Sequence, residues 1–111
     1  MGTPTVGDVI IVAYPYADFR MFKKRPALVV AEAEHSCIII AQITSKKHAS
    51  SRAIALLESD FANGGLQVES YVRVDKLVTI ETSSALKIVG ALRSKKAKII
   101  INRVADVFDA Q

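Results

Sequence analysis

Two apolar, β-branched runs constrain this chain more than any other feature. The first is Lys23-Lys24-Arg25-Pro26-Ala27-Leu28-Val29-Val30, and the second is Ile38-Ile39-Ile40-Ala41-Gln42-Ile43-Thr44-Ser45-Lys46-Lys47. Each carries a basic cluster at one end, the pattern of a buried strand that leaves its sheet into solvent. Glu32-Ala33-Glu34-His35 between them reads as the turn of a hairpin. A turn centred on Glu34 sets Ile43 opposite Arg25, and a turn centred between Glu34 and His35 sets Thr44 there. No Gly fixes the turn type, so both registers stay open. Either one brings the Arg25 guanidinium and the Thr44 hydroxyl within side-chain reach. Pro26 pushes Arg25 into an extended conformation and suits the start of a strand. An always-charged fork beside a hydroxyl, flanked by lysines, is a candidate phosphate site.

The chain has 111 residues, enough for one modest core, and the expectation is a single domain over residues 1–111. Half of the residues are hydrophobic and the mean hydropathy is +0.27. So apolar a small chain is expected to cover part of its surface with a partner or a second copy. No apolar run approaches membrane-spanning length, and no membrane association is expected. Met1-Gly2-Thr3-Pro4 has neither the charge nor the apolar core of a signal peptide. One Cys excludes an internal disulfide framework and fits a reducing cytoplasm. The net charge of +4 favours an anionic partner.

Upstream of the hairpin, Gly7-Asp8 precedes a strand from Val9 to Tyr14, which Pro15 ends. A loop over residues 16–24 follows. Tyr14, Tyr16, Phe19 and Phe22 are four of the seven aromatics in the chain. They read either as stacking faces for unpaired bases or as the plug of a small barrel. The plug suits Tyr14 and Phe19 better, and Tyr16 and Phe22 stay open. Cys37 is expected in the core.

Downstream, residues 45–51 are a polar, basic loop and 53–57 a short strand. Asp60-Phe61-Ala62-Asn63-Gly64-Gly65 is a turn cluster. Residues 70–80 form a long strand whose Arg73, Asp75 and Lys76 read first as a solvated face. Residues 86–92 form another strand, with Gly90 marking a bulge or a close approach. Ser94 is expected to cap a helix over residues 95–108. Its apolar stripe, Ala97, Ile100, Ile101, Val104 and Phe108, is core packing. Lys95, Lys96 and Lys98 crowd the positive end of that helix, against the macrodipole, and mark a candidate seat for an anion.

Five or six strands and one helix predict a mainly β fold, a small curved antiparallel barrel covered by the helix. No His or Cys spacing suits a metal, and no Gly-rich loop suits a phosphate, so no metal or cofactor is expected. His35 falls in the turn and His48 in the polar loop. A surface His without a role is the simpler reading of both, and His48 is the better candidate for a general base.

Several stretches together resemble the PemK/MazF toxins of type II toxin–antitoxin systems. They are Gly7-Asp8-Val9-Ile10, Pro15-Tyr16-Ala17-Asp18, Lys23-Lys24-Arg25-Pro26-Ala27-Leu28-Val29 and Gln42-Ile43-Thr44-Ser45. Ser59-Asp60-Phe61, Gly64-Gly65-Leu66, Ser70 and Val72-Arg73-Val74-Asp75-Lys76-Leu77 are similar to the PemK-like branch. The resemblance implies an SH3-like barrel of the CcdB/PemK kind with a C-terminal helix. It implies a homodimeric endoribonuclease that cuts single-stranded RNA at a short sequence, and an acidic antitoxin whose tail lies across it. It implies catalysis by Arg25 and Thr44, through attack of the 2′-OH to give a 2′,3′-cyclic phosphate and a 5′-OH. Lys23, Lys24, Ser45, Lys46, Lys47, His48, Arg52, Arg73, Tyr16 and Phe22 are the expected RNA-binding residues. Val78 departs from relatives that carry Arg there. Two alternatives remain: a gyrase poison on the same fold, as in the CcdB toxins, and a non-catalytic nucleic-acid-binding barrel.

Overall fold

The computed structural model describes residues 2–15 and 22–111, the side chains of 14, 15 and 22 excepted. Seven antiparallel strands are present among them: β1 (Asp8–Pro15), β2 (Phe22–Ala33), β3 (Cys37–Thr44), β4 (Ile54–Leu56), β5 (Phe61–Gly64), β6 (Ser70–Glu81) and β7 (Lys87–Leu92). They form one sheet in the order β4-β6-β3-β2-β1-β7-β5. A helix, α1 (Ser94–Asp109), ends the chain. The sheet curls into a half-barrel closed by the helix, the mainly β fold that the strand pattern predicts.

The sheet is apolar on both faces, which explains why the strands read as near-continuous hydrophobic runs. One face gathers Val9, Leu28, Ala41, Ile43, Val72 and Val74 beneath Ala97 and Ile100 of α1. The other gathers Ile10, Val12, Ala27, Val29, Ile38 and Ile40, with Ala85 curling over them. Successive residues alternate between these faces, as the period of two requires. Fully burying each such side chain contributes roughly 1.5–3 kcal/mol.

The β2–β3 hairpin turns through Glu34, His35 and Ser36. The Cys37 N–H donates to the Glu34 carbonyl at 3.3 Å. His35 and Ser36 sit at φ of 61° and 57°, as a primed turn needs. The turn centre is thus His35, one half-step or more beyond either expected centre. Near the turn Ala33 faces Cys37 and Ala31 faces Ile39. A bulge at Val30 then shifts the ladder, so that Val29 faces Ile40 and Ala27 faces Gln42.

Several local expectations change. Residues 61–64 are a strand, not a turn, because Phe61 anchors β5 in the core and β5 pairs with β7. The turn precedes it, as one turn of 3-10 helix over Glu58–Asp60. Gly90 is a close approach: a Cβ there would lie 2.8 Å from the Gly65 nitrogen and 2.9 Å from the Asn63 oxygen. Arg93, not Ser94, caps α1, and no side chain completes the cap. Cys37 is only half-buried, at the hairpin end, and its thiol donates to the His35 carbonyl at 3.6 Å. Phe108 is 66% exposed, and Val107 joins the core side of the helix in its place.

The lysines at the start of α1 find an anion within the chain. Lys96 Nζ lies 3.3 Å from Asp60 Oδ2, with both side chains about four-fifths buried (19% and 18% exposed). The Arg93 backbone N–H and Nε–H donate to the Asp60 and Ser59 carbonyls at 2.8 and 3.1 Å. These contacts clamp the 3-10 turn to the helix start and offset the unfavourable dipole placement.

Candidate active site

Strand register bears on where Arg25 and Thr44 lie. Beyond the Val30 bulge, β2 and β3 pair with Ala27 opposite Gln42. The paired ladder ends there; carried two steps further, that register would set Arg25 opposite Thr44. Without the bulge the same turn would have placed Arg25 opposite Ser45. On its other side Arg25 faces Val12 of β1, which belongs to the apolar face away from α1. Strand alternation puts Ala27, Gln42 and Thr44 on that face too.

The row continues across the sheet. Thr44 is the Cα partner of Tyr71 in β6, and Tyr71 is the partner of Ala55 in the edge strand β4. Val12 and Arg25 are thus partners on β1 and β2, and Thr44, Tyr71 and Ala55 on β3, β6 and β4; the continued β2–β3 register would join them into one row across five adjacent strands. Adjacent strands lie about 4.8 Å apart. Arg73, two places past Tyr71, shares its face by alternation; the ladder is irregular beyond it, and Arg73 Nη2 lies 3.6 Å from Asp75 Oδ1. Arg73 is three-quarters buried, and its buried Nε has no hydrogen-bond partner among the described residues. An orphaned buried donor is costly and points to a group that an anion or an acceptor completes.

Thr44 is 8% exposed, and its Oγ1 accepts from the Lys46 N–H at 3.1 Å. That bond fixes the hydroxyl and leaves its own proton to be donated. Arg25 is half-buried, and no carboxylate lies within ion-pair distance of it among the described residues. Lys23 shares the face of Arg25, and Lys24 points to the other side of β2 by alternation. Both are exposed, as are Ser45, Lys46, Lys47, His48 and Arg52 in the loop after β3. The Ala49 N–H closes a turn onto the Lys46 carbonyl at 3.2 Å, and the Arg52 N–H donates to Ser50 Oγ at 3.1 Å. The basic loop thus starts at Thr44 itself. Tyr16 lies outside the described residues, as do the side chains of Tyr14 and Phe22; Phe19 lies outside them as well.

Tyr71 and Asp75 are site neighbours that the sequence reading did not single out. The signal was present: Tyr71, Arg73 and Asp75 recur at a period of two. What was missing was the pairing of β6 with β3, a long-range contact. Tyr71 Oη donates to Glu69 Oε2 at 3.4 Å. Burial, and then the Glu69 charge and hydrogen bond, push the Tyr71 phenol above its ordinary value. The phenol therefore stays a neutral donor at physiological pH. His35 is exposed at the far, turn end of the hairpin, 3.8 Å from Glu34, and is no part of this site.

A cavity of about 430 Å³ opens between the edge strands, lined by Leu56, Phe61, Leu66, Val68, Glu58 and Glu69. None of the predicted site residues lines it, no cationic side chain does, and the one hydroxyl in its lining, Ser70, donates to the Val68 carbonyl at 2.9 Å. The arrangement with chemistry is the row. It sets a fixed cation, a hydroxyl donor and an aromatic on one face, with lysines at its rim. Such a row can grip a phosphodiester and oppose charge that grows on it.

Comparison with known proteins gives the same architecture. Over 97% of this chain and 98% of the other, it superposes on a MazE–MazF structure from Deinococcus radiodurans at a TM-score of 0.77 and 14% identity. An endoribonuclease from a mycobacterial species matches at 0.71 and 17% identity, over 98% of this chain and 94% of the other. Mycobacterium tuberculosis toxin MazF-mt6 matches at 0.65 and 20%, over 90% and 96%. No curated protein sequence matches the chain. The model of the PemK-like, MazF-like toxins of type II toxin–antitoxin systems matches residues 5–108. With nearly its whole length covered, this chain belongs to that toxin family.

Proposed function

We propose that the protein is a metal-independent endoribonuclease that cuts single-stranded RNA, acts as a homodimer and is restrained by an acidic antitoxin. The observation that carries the reading is the β2–β3 register, which runs to Ala27 opposite Gln42 and so brings Arg25 toward Thr44 at the mouth of a basic loop. Membership of the toxin family supports it, as do structural relatives described as endoribonucleases and as complexes with an antitoxin.

In this reading the RNA 2′-OH attacks the adjacent phosphorus. The leaving 5′ oxygen departs as a 5′-OH, and the phosphate closes to a 2′,3′-cyclic diester. The Arg25 guanidinium faces the extra negative charge of the pentacoordinate state with a planar fork. Its near-permanent charge suits it to that task and unfits it for proton transfer. Thr44, fixed by the Lys46 N–H, donates to a non-bridging oxygen. Arg73 adds a partly buried positive charge beside the same strand of RNA. Lys23, Lys24, Ser45, Lys46, Lys47, His48 and Arg52 hold the flanking backbone, with a salt dependence that grows with each phosphate gripped.

The test is digestion of RNA in EDTA, with mapping of the fragment ends. Discrete fragments ending in a 2′,3′-cyclic phosphate and a 5′-OH are expected. A substrate with one 2′-deoxy sugar at the mapped cut should bind and survive. Cleavage of that substrate, or activity lost in EDTA and restored by a divalent cation, overturns the chemistry. Tight RNA binding without any fragments would favour the non-catalytic barrel.

A further inference from the structure

We infer that Tyr71 stacks on the nucleobase next to the phosphate held at Arg25 and Thr44, and so helps set the RNA sequence that is cut. The inference rests on the ribonuclease reading for its substrate. Its geometry stands on the sheet register alone.

Tyr71 is the direct cross-strand neighbour of Thr44. Its Cα therefore lies about 5 Å from that of Thr44, and about 10 Å from that of Arg25. A base is joined to its phosphate through one sugar. A phosphate seated on the Arg25–Thr44 pair thus presents a neighbouring base over the next strand, where the ring is. On its far side the Cα partner of Tyr71 is Ala55 in the edge strand β4, an exposed residue. A threonine and an alanine cover little of an aromatic ring, and Tyr71 stays half-exposed. A ring packed for the core would sit among the isoleucines and valines of the two apolar faces, and this one does not.

The ring is held at its tip. The phenol donates to Glu69 two residues away at 3.4 Å, long for an O–H···O bond, so the tether is light. Arg73 follows on the same face, three-quarters buried, its Nε without a hydrogen-bond partner among the described residues. A base stacked on Tyr71 would then have a guanidinium donor at one edge and a carboxylate acceptor at the other. Stacking alone accepts any base. Edge donors and acceptors are what discriminate among them.

The experiment compares wild type with Tyr71→Phe, Tyr71→Leu and Tyr71→Ala, each checked for folding by circular dichroism. Binding is measured on RNA carrying a single 2′-deoxy sugar at the mapped cut. Cleavage is measured as kcat and KM, and base preference from fragment ends in a random-sequence RNA pool. Tyr71→Leu keeps apolar bulk without a π face, so it separates stacking from packing. Tyr71→Leu and Tyr71→Ala should weaken binding about 5- to 150-fold. The loss should appear mainly in KM, and base preference should flatten at one position beside the cut. Tyr71→Phe should bind within about 2-fold of wild type, because the ring carries the stacking. A folded Tyr71→Leu protein with wild-type affinity and unchanged preference overturns the inference. So does a Tyr71→Phe protein as impaired as Tyr71→Leu, since the hydroxyl would then be the active part. Wild type that leaves RNA intact overturns the ribonuclease reading instead. The binding arm, run on unmodified RNA, still decides whether Tyr71 stacks a base.

Discussion

At the scale of single residues, the proposed mechanism divides the work between Arg25 and Thr44 by chemistry. The guanidinium is a permanent planar charge, and the hydroxyl is a short donor pinned by the Lys46 N–H at 3.1 Å. Removing a preorganised donor of transition-state charge lowers the rate roughly 10²- to 10³-fold. Arg25→Ala should therefore lose that much in kcat while melting like wild type, because Arg25 is half-buried and no ion-pair partner is described for it. Arg25→Lys should fail nearly as badly, since a point charge does not reproduce the fork. Cleavage assays beside thermal melts check both. A folded Arg25→Ala protein cutting at a near-normal rate would remove Arg25 from the mechanism.

At the scale of elements, the β2–β3 hairpin decides where those residues meet. Its turn is made of His35 and Ser36 at positive φ. L-residues with side chains hold that conformation at a cost of roughly 1–2 kcal/mol each. Glycine bears none of it, so Ser36→Gly should stabilise the protein by about 1 kcal/mol. The gain should raise Tm by roughly 4–8 °C, with cleavage unchanged because the turn lies far from the row. A lower Tm would show that Ser36 does more than occupy the turn. The Val30 bulge acts in the same hairpin: it shifts the ladder by one residue, so that the register beyond it runs toward Thr44 rather than Ser45 for Arg25. α1 contributes differently: it covers the other face of the sheet and leaves the row open. Its crowded lysines, an apparent misfit with the dipole, are answered by Asp60.

At the scale of the whole molecule, the chain carries more apolar surface than one copy covers. Leu57, Val68 and Phe108 are 59%, 65% and 66% exposed. In the proposed homodimer, pairing two copies would bury such surface and could join two basic loops into a longer channel. Light scattering at micromolar concentration should therefore give twice the chain mass, and a monomer there would overturn the homodimer. An acidic antitoxin tail that lies over the same lysines should compete with uncleavable RNA. Rising salt should slow its association more than it speeds its release. Antitoxin and RNA bound together, without mutual loss of affinity, would place the tail elsewhere.

The residues themselves determine a good deal. β-branched runs with basic ends, a proline after Arg25 and a terminal apolar stripe fix the strands, the helix and the hairpin, because these depend on periods of two and 3.6 residues within short stretches. They also bring Arg25 close to Thr44 to within one residue. The missing step is register. A bulge is a local shift between two strands, and nothing at Val30 marks it, since valine suits paired and bulged positions alike. The turn gave no help, because it lacks the glycine that would have centred it. Long-range pairing is the other omission. Arg73 and Asp75 look like a solvated face until β6 docks against β3 and buries the guanidinium. Phe61 looks like part of a turn until β5 pairs with β7. Lys96 looks unpaired until the 3-10 turn brings Asp60 to it. In each case the deciding neighbour lies tens of residues away in the chain. Only tertiary packing, which sets the local dielectric and supplies the partner, could tell a surface charge from a working one.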